Sequence, residues 1–353
     1  MLMMDQNQMA ADRPLLVVHD EEEGHLVYDL LLSSGGEETV ACFPQPVARF
    51  PAVPSRCYSL AVSGGTVVCA QYGWFDTLFH DTVMQLNESH KSTPVMLPMR
   101  DGSVVRIDTI LYDGIYNVET LRRLLNDDGS WSWHATPLPK PPIGPLMEHD
   151  YADKLALVSA YFALGTRVWI SVEDKGTFSL DTAERGGACC WRTEGTWQLP
   201  FQGRGLYVPE LDSVFGFTTT AGEERQFLSA CHVKTGAPPV MRYLWRDSFP
   251  WPWEECVSED GHRPDTRARD LPSLAYLGKG RFCICRPMST MEPELRGPQI
   301  SYNASSFLVL EVKRLPRGEL RLAKRGKMSY LKAGNADTLD LFSPPPDRMP
   351  LLQ

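Results

Sequence analysis

The 353 residues carry 44 acidic and 35 basic side chains, a formal net charge of -9, with 43% hydrophobic and 22% charged residues. That balance excludes wholesale disorder, a collagen-like repeat and a coiled coil. It also argues against general nucleic-acid binding, which needs a basic footprint to displace counterions. The length supports one large domain or two ordinary ones.

Strand-like runs dominate from the start. In chain order they are 14–19, 25–31, 39–43, 57–62, 66–71, 155–164, 167–172, 176–180, 187–194, 205–209, 213–218, 228–232, 240–245, 273–277, 281–286, 306–312 and 320–330. They are rich in Val, Phe, Tyr, Trp and Leu, many alternate, and turns such as Ser63-Gly64-Gly65 and Gly278-Lys279-Gly280 separate them. Helical periodicity is nearly absent. Residues 118–126 form the best exception, a turn or two of helix or the end of a strand.

The runs fall into groups of four. Residues 155–158, 167–171, 177–181 and 190–192 make one group; 273–276, 281–284, 307–311 and 320–322 make another. Residues 205–209, 214–218, 228–233 and 241–245 repeat the order. Residues 58–62, 65–69, 116–119 and 132–134 fit it if a long insertion separates the second and third runs. The third run tends to end in an acid and the fourth to carry a Trp (Trp133, Trp191, Trp245). Such four-stranded, up-and-down repetition predicts an all-β fold, a β-propeller of four-stranded blades, about five to six in number. Two stacked sheets are the alternative. An incomplete first group, 15–18, 25–30 and 39–43, needs a strand from the other end of the chain, because an open sheet edge invites association. Residues 330–332 or 339–342 are the candidates. The expected organisation is a disordered tail over 1–13, a propeller over 14–333 and a C-terminal tail over 334–353, which contains one of the two candidates for closing the ring.

The central stretch Gly176-Thr177-Phe178-Ser179-Leu180-Asp181-Thr182 leads to Trp191, then to Trp197-Gln198-Leu199-Pro200-Phe201-Gln202-Gly203-Arg204, Tyr207-Val208-Pro209-Glu210-Leu211 and Phe215-Gly216-Phe217. Ser305-Ser306-Phe307-Leu308-Val309-Leu310-Glu311-Val312 and Lys324-Arg325-Gly326-Lys327 follow near the end. Together they resemble a large, grass-expanded family of uncharacterised plant proteins with kelch-like or F-box-associated propeller domains. The resemblance covers 14–332 and implies a propeller and a plant source, with little about function. True kelch blades carry a Gly-Gly doublet after the second strand. Here the doublets Gly35-Gly36, Gly64-Gly65 and Gly186-Gly187 precede strands. Related F-box proteins begin with a helical adaptor segment that residues 1–13 are too short and polar to hold, so a ubiquitin-ligase receptor role would act through another chain.

Catalytic motifs are missing: no Gly-x-Ser-x-Gly elbow, Walker loop, His-Glu-x-x-His or Rossmann fingerprint occurs. Nine scattered cysteines show no CxxC pairing, so no metal and no cofactor are expected. Glu148-His149-Asp150 reads as a solvated loop, Glu21-Glu22-Glu23-Gly24-His25 as a charged hairpin turn, and Ser171-Val172-Glu173-Asp174 as an ordinary strand and turn. No apolar window approaches a membrane span and no secretory signal is visible, so a cytoplasmic or nuclear protein is expected.

Two aromatic stretches stand out: Phe249-Pro250-Trp251-Pro252-Trp253 before a long polar loop, and Tyr72-Gly73-Trp74-Phe75, read as a loop after a second strand. Either packs between blades, or, if exposed, offers interface anchors of the type that Trp supplies best. Phe249, Trp251, Trp253, Trp74 and Phe75 are therefore the candidate partner-binding residues. The proline run Pro137-Leu138-Pro139-Lys140-Pro141-Pro142 reads as a stiff linker or a polyproline ligand. Charge is segregated: residues 1–40 hold nine acids against Arg13, and 311–332 hold eight bases against Glu311 and Glu319. The two segments are either solvated sheet surfaces or, for the basic one, a partner-binding patch or import signal. The expected role is a monomeric, non-catalytic scaffold that binds other proteins through rim loops, with no nucleic acid and no membrane. The alternative is an enzyme or small-molecule or metal binder using a central channel.

Overall fold

The structure is a computed structural model that describes residues 14–20, 23–32, 39–50, 58–63, 66–71, 74–77, 80–84, 94–112, 118–143, 155–183, 190–219, 226–246, 272–290, 302–333 and 336–343. Among these residues regular structure is strand, apart from one 3-10 turn at Pro209–Leu211. The all-β expectation holds. Two compact units arise: residues 1–54, 222–228 and 243–348, and residues 55–221, 229–242 and 349–353.

The strands are β1 (Leu15–Asp20), β2 (Gly24–Asp29), β3 (Thr39–Cys42), β4 (Ala48–Phe50), β5 (Tyr58–Ser63), β6 (Thr66–Gln71), β7 (Trp74–Thr77), β8 (His80–Met84), β9 (Pro94–Pro98), β10 (Val104–Asp108), β11 (Ile110–Tyr112), β12 (Val118–Leu125) and β13 (Trp131–Pro137). They continue as β14 (Leu155–Leu164), β15 (Arg167–Val172), β16 (Gly176–Asp181), β17 (Trp191–Gly195), β18 (Gln202–Val208), β19 (Ser213–Thr219), β20 (Gln226–Lys234), β21 (Ala237–Trp245), β22 (Ser273–Gly278), β23 (Arg281–Thr290), β24 (Tyr302–Arg314), β25 (Leu320–Ala333) and β26 (Ala336–Phe342).

The first unit holds two sheets, ordered β26-β1-β2-β4 and β22-β23-β24-β25-β3. Their apolar faces share one core: Leu16, Val18, Leu26, Tyr28, Leu30 and Leu341 pack with Ala275, Leu277, Cys283, Cys285, Phe307 and Val309. Both candidate closing segments are used. Leu341 and Phe342 of β26 pair with Leu16 and Leu15, and Tyr330 and Leu331 of β25 run parallel to Ala41 and Cys42. This corrects the expected first group, in which 39–43 was its third strand. Residues 39–42 leave that sheet for the edge of β25, and the short β4 takes the place beside β2.

The second unit contains the sheets β5-β6-β7-β8 and β13-β12-β10-β9, and the β14–β17 array with β11 on β14. The grouping of 58–69 with 116–119 and 132–134 is thereby corrected. The intervening residues supply their own strands: β7 and β8 complete the first sheet, and β9 and β10 join β12 and β13. Val118–Leu125 form strand β12, the strand alternative rather than the helical one, because Val118, Thr120 and their neighbours satisfy their backbone groups across β10 and β13. The four-run groups at 155–192 and 273–322 appear as expected, in the orders β14-β15-β16-β17 and β22-β23-β24-β25.

Sheet β14–β17 is covered on both faces. Val168, Ile170, Val172 and Phe178 pack with Leu97, Val105, Ile107 and Val118 of the neighbouring sheet. On the other face, Phe162 and Trp169 stack at 5.7 Å and meet Leu199, Phe201 and Val214. The alternation of strand side chains distributes these two sets. Burial on both sides explains why β15 reads as a nearly unbroken apolar run. At the junction of two groups, β14 and β18 run parallel through Ala160↔Gly203 and Tyr161↔Arg204.

Tight hairpins recur at three places with one geometry. Met99–Ser103, Asn126–Ser130 and Leu315–Glu319 each close with an N–H from the first residue to the carbonyl of the fifth, and the fourth residue is a glycine near φ +80 (Gly102, Gly129, Gly318). In the first two an Asp carboxylate accepts from the following Ser N–H and Oγ, as Asp101 does from Ser103 and Asp128 from Ser130.

Candidate functional site

The expected anchor residues are placed as follows. Phe249, Trp251 and Trp253 lie outside the described residues, as do Glu148, His149 and Asp150. Trp74 and Phe75 belong to strand β7, where they pair with Gln71 and Ala70 of β6. That corrects their reading as a loop: the aromatic, β-prone run continues the sheet. The proline run is anchored within the second unit. Trp191 Nε1 donates to the Pro139 carbonyl at 2.6 Å, and Leu138 N–H reaches the Val118 carbonyl at 2.7 Å. Ile143 is buried in the same core. The run therefore seats on its own chain's indole, which fits the linker reading. The Trp of the fourth strand has a role here, as it does at Trp133, which is buried in β13.

The central motif builds a buried polar seam in the second unit. Ser171 Oγ pairs with Thr177 Oγ1 at 2.8 Å and accepts from Leu199 N–H at 2.8 Å, and Thr177 Oγ1 donates to the Trp197 carbonyl at 2.7 Å. Gln198 Nε2 donates to the Val172 carbonyl at 2.8 Å. These bonds dock the Trp197–Phe201 connection across the ends of β15 and β16. Gly195 permits the approach of Trp197, and Gly205 and Gly216 that of Phe201: a Cβ at any of the three would lie within 2.7 Å of the facing ring.

The acid that ends the third strand is also explained. Asp181 accepts from Thr166 Oγ1 at 2.8 Å, Ala183 N–H at 3.1 Å and Arg167 Nη2 at 3.2 Å, which ties the end of β16 to the β14–β15 turn. Desolvation pushes this carboxyl up, but the donors from Ala183, Thr166 and Arg167 outweigh it and hold it below the usual range. Its native contribution is thus present above the ordinary carboxylate pKa and is lost as pH falls through the depressed one. Glu194, its side chain wholly buried, accepts from Ser179 Oγ at 2.6 Å and from Gly236 N–H, with Arg192 at 3.7 Å and Arg167 at 4.0 Å.

One buried charged group escaped the sequence reading. Arg106 and Asp108 stand two apart on one face of β10, and Glu119 lies directly opposite Arg106 on β12. Arg106 Nη1 reaches Glu119 Oε2 at 3.2 Å and Nη2 reaches Asp108 Oδ1 at 3.3 Å, all three side chains being at most 7% exposed. The signal was available: Val105 and Ile107 alternate with Arg106 and Asp108, as a half-apolar strand would. No group of three or more His, Cys, Asp or Glu arranged to hold a metal ion occurs among the described residues.

Two surface features stand out among the described residues, one apolar and one cationic. The inner half of β12, Val118–Leu121, is buried, whereas its outer half is open and shows Leu124 at 47% and Leu125 at 58% exposure. In the first unit, Lys313, Arg314, Arg317, Arg321, Lys324 and Arg325 are exposed along the β24–β25 hairpin. The acidic β1–β2 turn of that unit finds a local partner, Glu23 with Arg49.

The family described as "Protein of unknown function (DUF1668)" matches residues 31–330. The chain belongs to the DUF1668 family. The matched region spans the buried seam and the cationic hairpin. No curated protein matches the chain. Among solved structures, the N-terminal domain of Nup159 is similar at 10% identity over 89% of this chain and 72% of that chain, with a TM-score of 0.38. A complex of S. cerevisiae Dbp5 bound to Nup159, Gle1, IP6 and ADP gives 11% identity over 86% and 69%, with a TM-score of 0.33. Both are distant likenesses, and the fold described above rests on its own strand pairing. Among the described residues no helix is long and apolar enough to cross a membrane.

Four described thiols of this DUF1668 protein divide sharply. Cys190 is exposed, while Cys231, Cys283 and Cys285 are buried. Desolvation pushes the Cys231 thiol up to about 12, with Arg242 opposing, and desolvation raises Cys283 further. Almost no thiolate exists at either position at pH 8. Iodoacetamide treatment of the native protein followed by peptide mapping is expected to label Cys190 and to leave Cys231 and Cys283 unmodified until denaturant is added. Native labelling of Cys283 would contradict the packing of the first core.

Proposed function

We propose that this DUF1668 protein is a non-catalytic scaffold that binds other proteins in the cytoplasm or nucleus, built as a monomeric β-propeller whose six groups of four strands are its blades. The parallel run of β14 against β18, first strands of consecutive groups, supports that architecture. The observation that carries the functional reading is the outer half of the β12–β13 hairpin. Its base is fixed in the core, its tip is stiffened by Asn126, Asp128, Ser130 and Ser132, and it holds two consecutive leucines in solvent. A rigid arm with exposed apolar side chains loses little entropy on binding. Phe249, Trp251 and Trp253 and, separately, Trp74 and Phe75 are the other proposed partner-binding residues, and the family resemblance implies a plant source.

The test is affinity capture by the tagged protein from plant extract, in parallel with Leu124→Asp/Leu125→Asp and Trp251→Ala/Trp253→Ala variants. A stoichiometric protein partner lost on either double substitution is the expected result. A partner retained by both variants removes these surfaces from the proposal. Purified protein that carries a metabolite or metal and no protein partner would overturn the scaffold reading in favour of a channel-based binder.

A further inference from the structure

The β24–β25 hairpin concentrates positive charge in a way that its own stability does not require. The register sets Lys313 directly opposite Arg321, a like-charge cross-strand pair that weakens a sheet. Glu311 engages Lys313 at 3.0 Å and Arg325, whose Nε lies at 2.7 Å, and these two cations hold its carboxyl below the usual range. The side chains of Arg314, Arg317, Arg321 and Lys324 make no hydrogen bond or ion pair among the described residues, and all four are exposed. In a chain of net charge -9, four cations on one hairpin thus stand without an acidic partner among the described residues.

We infer that this hairpin docks an acidic, extended polypeptide segment of a partner protein. Charge complementarity selects the occupant. Lys313 and Arg321 stand opposite each other on one face of the hairpin, about 5 Å apart across the strands. Carboxylates on alternate residues of an extended peptide lie on one side of it, about 7 Å apart, so a single face of such a peptide can meet that pair. Three of the four free cations are arginines, whose planar forks take carboxylates in paired hydrogen bonds. Leu315, at the start of the turn and 37% exposed, offers an apolar contact beside them. Nucleic acid is the poorer fit: a duplex carries about one charge per 1.7 Å of its axis, and a few cations on one hairpin would neutralise only a small part of that array. This inference rests on the scaffold reading and names the chemistry of one of its partners.

The test is fluorescence polarisation with a labelled twelve-residue peptide of alternating Glu and Ser, against the full chain at low and physiological salt. The wild type is expected to bind with an affinity that falls several-fold as salt rises. Arg314→Glu/Arg317→Glu/Arg321→Glu is expected to weaken binding by about tenfold or more. Circular dichroism and thermal melting report whether this variant folds, and Arg317→Gln/Lys324→Gln, confined to exposed sites, gives a second reading with a smaller loss. Wild-type affinity in both variants, or no binding of the peptide by the wild type, would overturn the inference. Tighter binding of a twelve-nucleotide oligothymidine than of the peptide would overturn it too. If captured partners persist with the triple variant and the peptide does not bind, the hairpin assignment fails and the scaffold stands. If the peptide binds but no protein is captured, the scaffold reading fails and the cationic site stands.

Discussion

Replacing Arg106 with leucine is expected to be among the most damaging single changes in the second unit. It removes the guanidinium that Asp108 and Glu119 share and leaves both carboxylates buried, a loss of about 3–5 kcal/mol. Arg106 Nε is already buried without a hydrogen-bond partner, so the guanidinium owes its place to the two carboxylates. The triple replacement Arg106→Leu/Asp108→Leu/Glu119→Leu is expected to recover most of the loss, since a buried ion pair seldom outperforms well-packed apolar groups. Amide exchange over β10 and β12 is the suitable measurement, because it reports the local unit and does not assume one cooperative transition. Unchanged protection in Arg106→Leu would show that the group is not held as described.

Gly176→Ala is expected to cost a comparable amount, roughly 3–5 kcal/mol, from two sources acting at once. Gly176 sits at φ +105, and an added Cβ would lie 2.2 Å from the Gly195 carbonyl oxygen. Backbone cannot move aside there without breaking the β16–β17 pairing of Thr177 with Gly195. Gly102→Ala is the matched control: φ is +82, but nothing stands within 4 Å of the added carbon. It pays for conformation alone, about 1 kcal/mol. Thermal melts of the two variants side by side check the difference, and equal shifts would mean that backbone conformation dominates at both sites.

Strand positions in 155–192 and 273–322 were readable because their central strands are short apolar runs, buried on both faces, bounded by glycine turns. The first group was misread for a physical reason. The partner of Thr39–Cys42 lies nearly 290 residues away in β25, and pairing at that distance leaves no trace in local composition. Strands β7 to β10 were missed because they are short or carry charge on one face, as Val-Val-Arg-Ile-Asp does in β10. The motifs that carried the family resemblance were legible as sequence but not as chemistry. Thr177, Gln198 and Asp181 turn out to bind backbone and neighbouring turns, which makes them architectural. The cationic hairpin was visible in composition, and only the register revealed that Lys313 faces Arg321.

The pairing of β1 with β26 also bears on synthesis. Leu15–Asp20 leaves the ribosome more than 300 residues before Ala336–Phe342 exists. At about 5–20 residues per second, β1 spends roughly a quarter of a minute to a minute with Leu16, Val17 and Val18 on an open edge. Hairpin pairing with β2 can form at once and shields one side. The other side waits for the last strand, which makes the nascent chain a client for holding factors and a truncated product prone to edge-to-edge association.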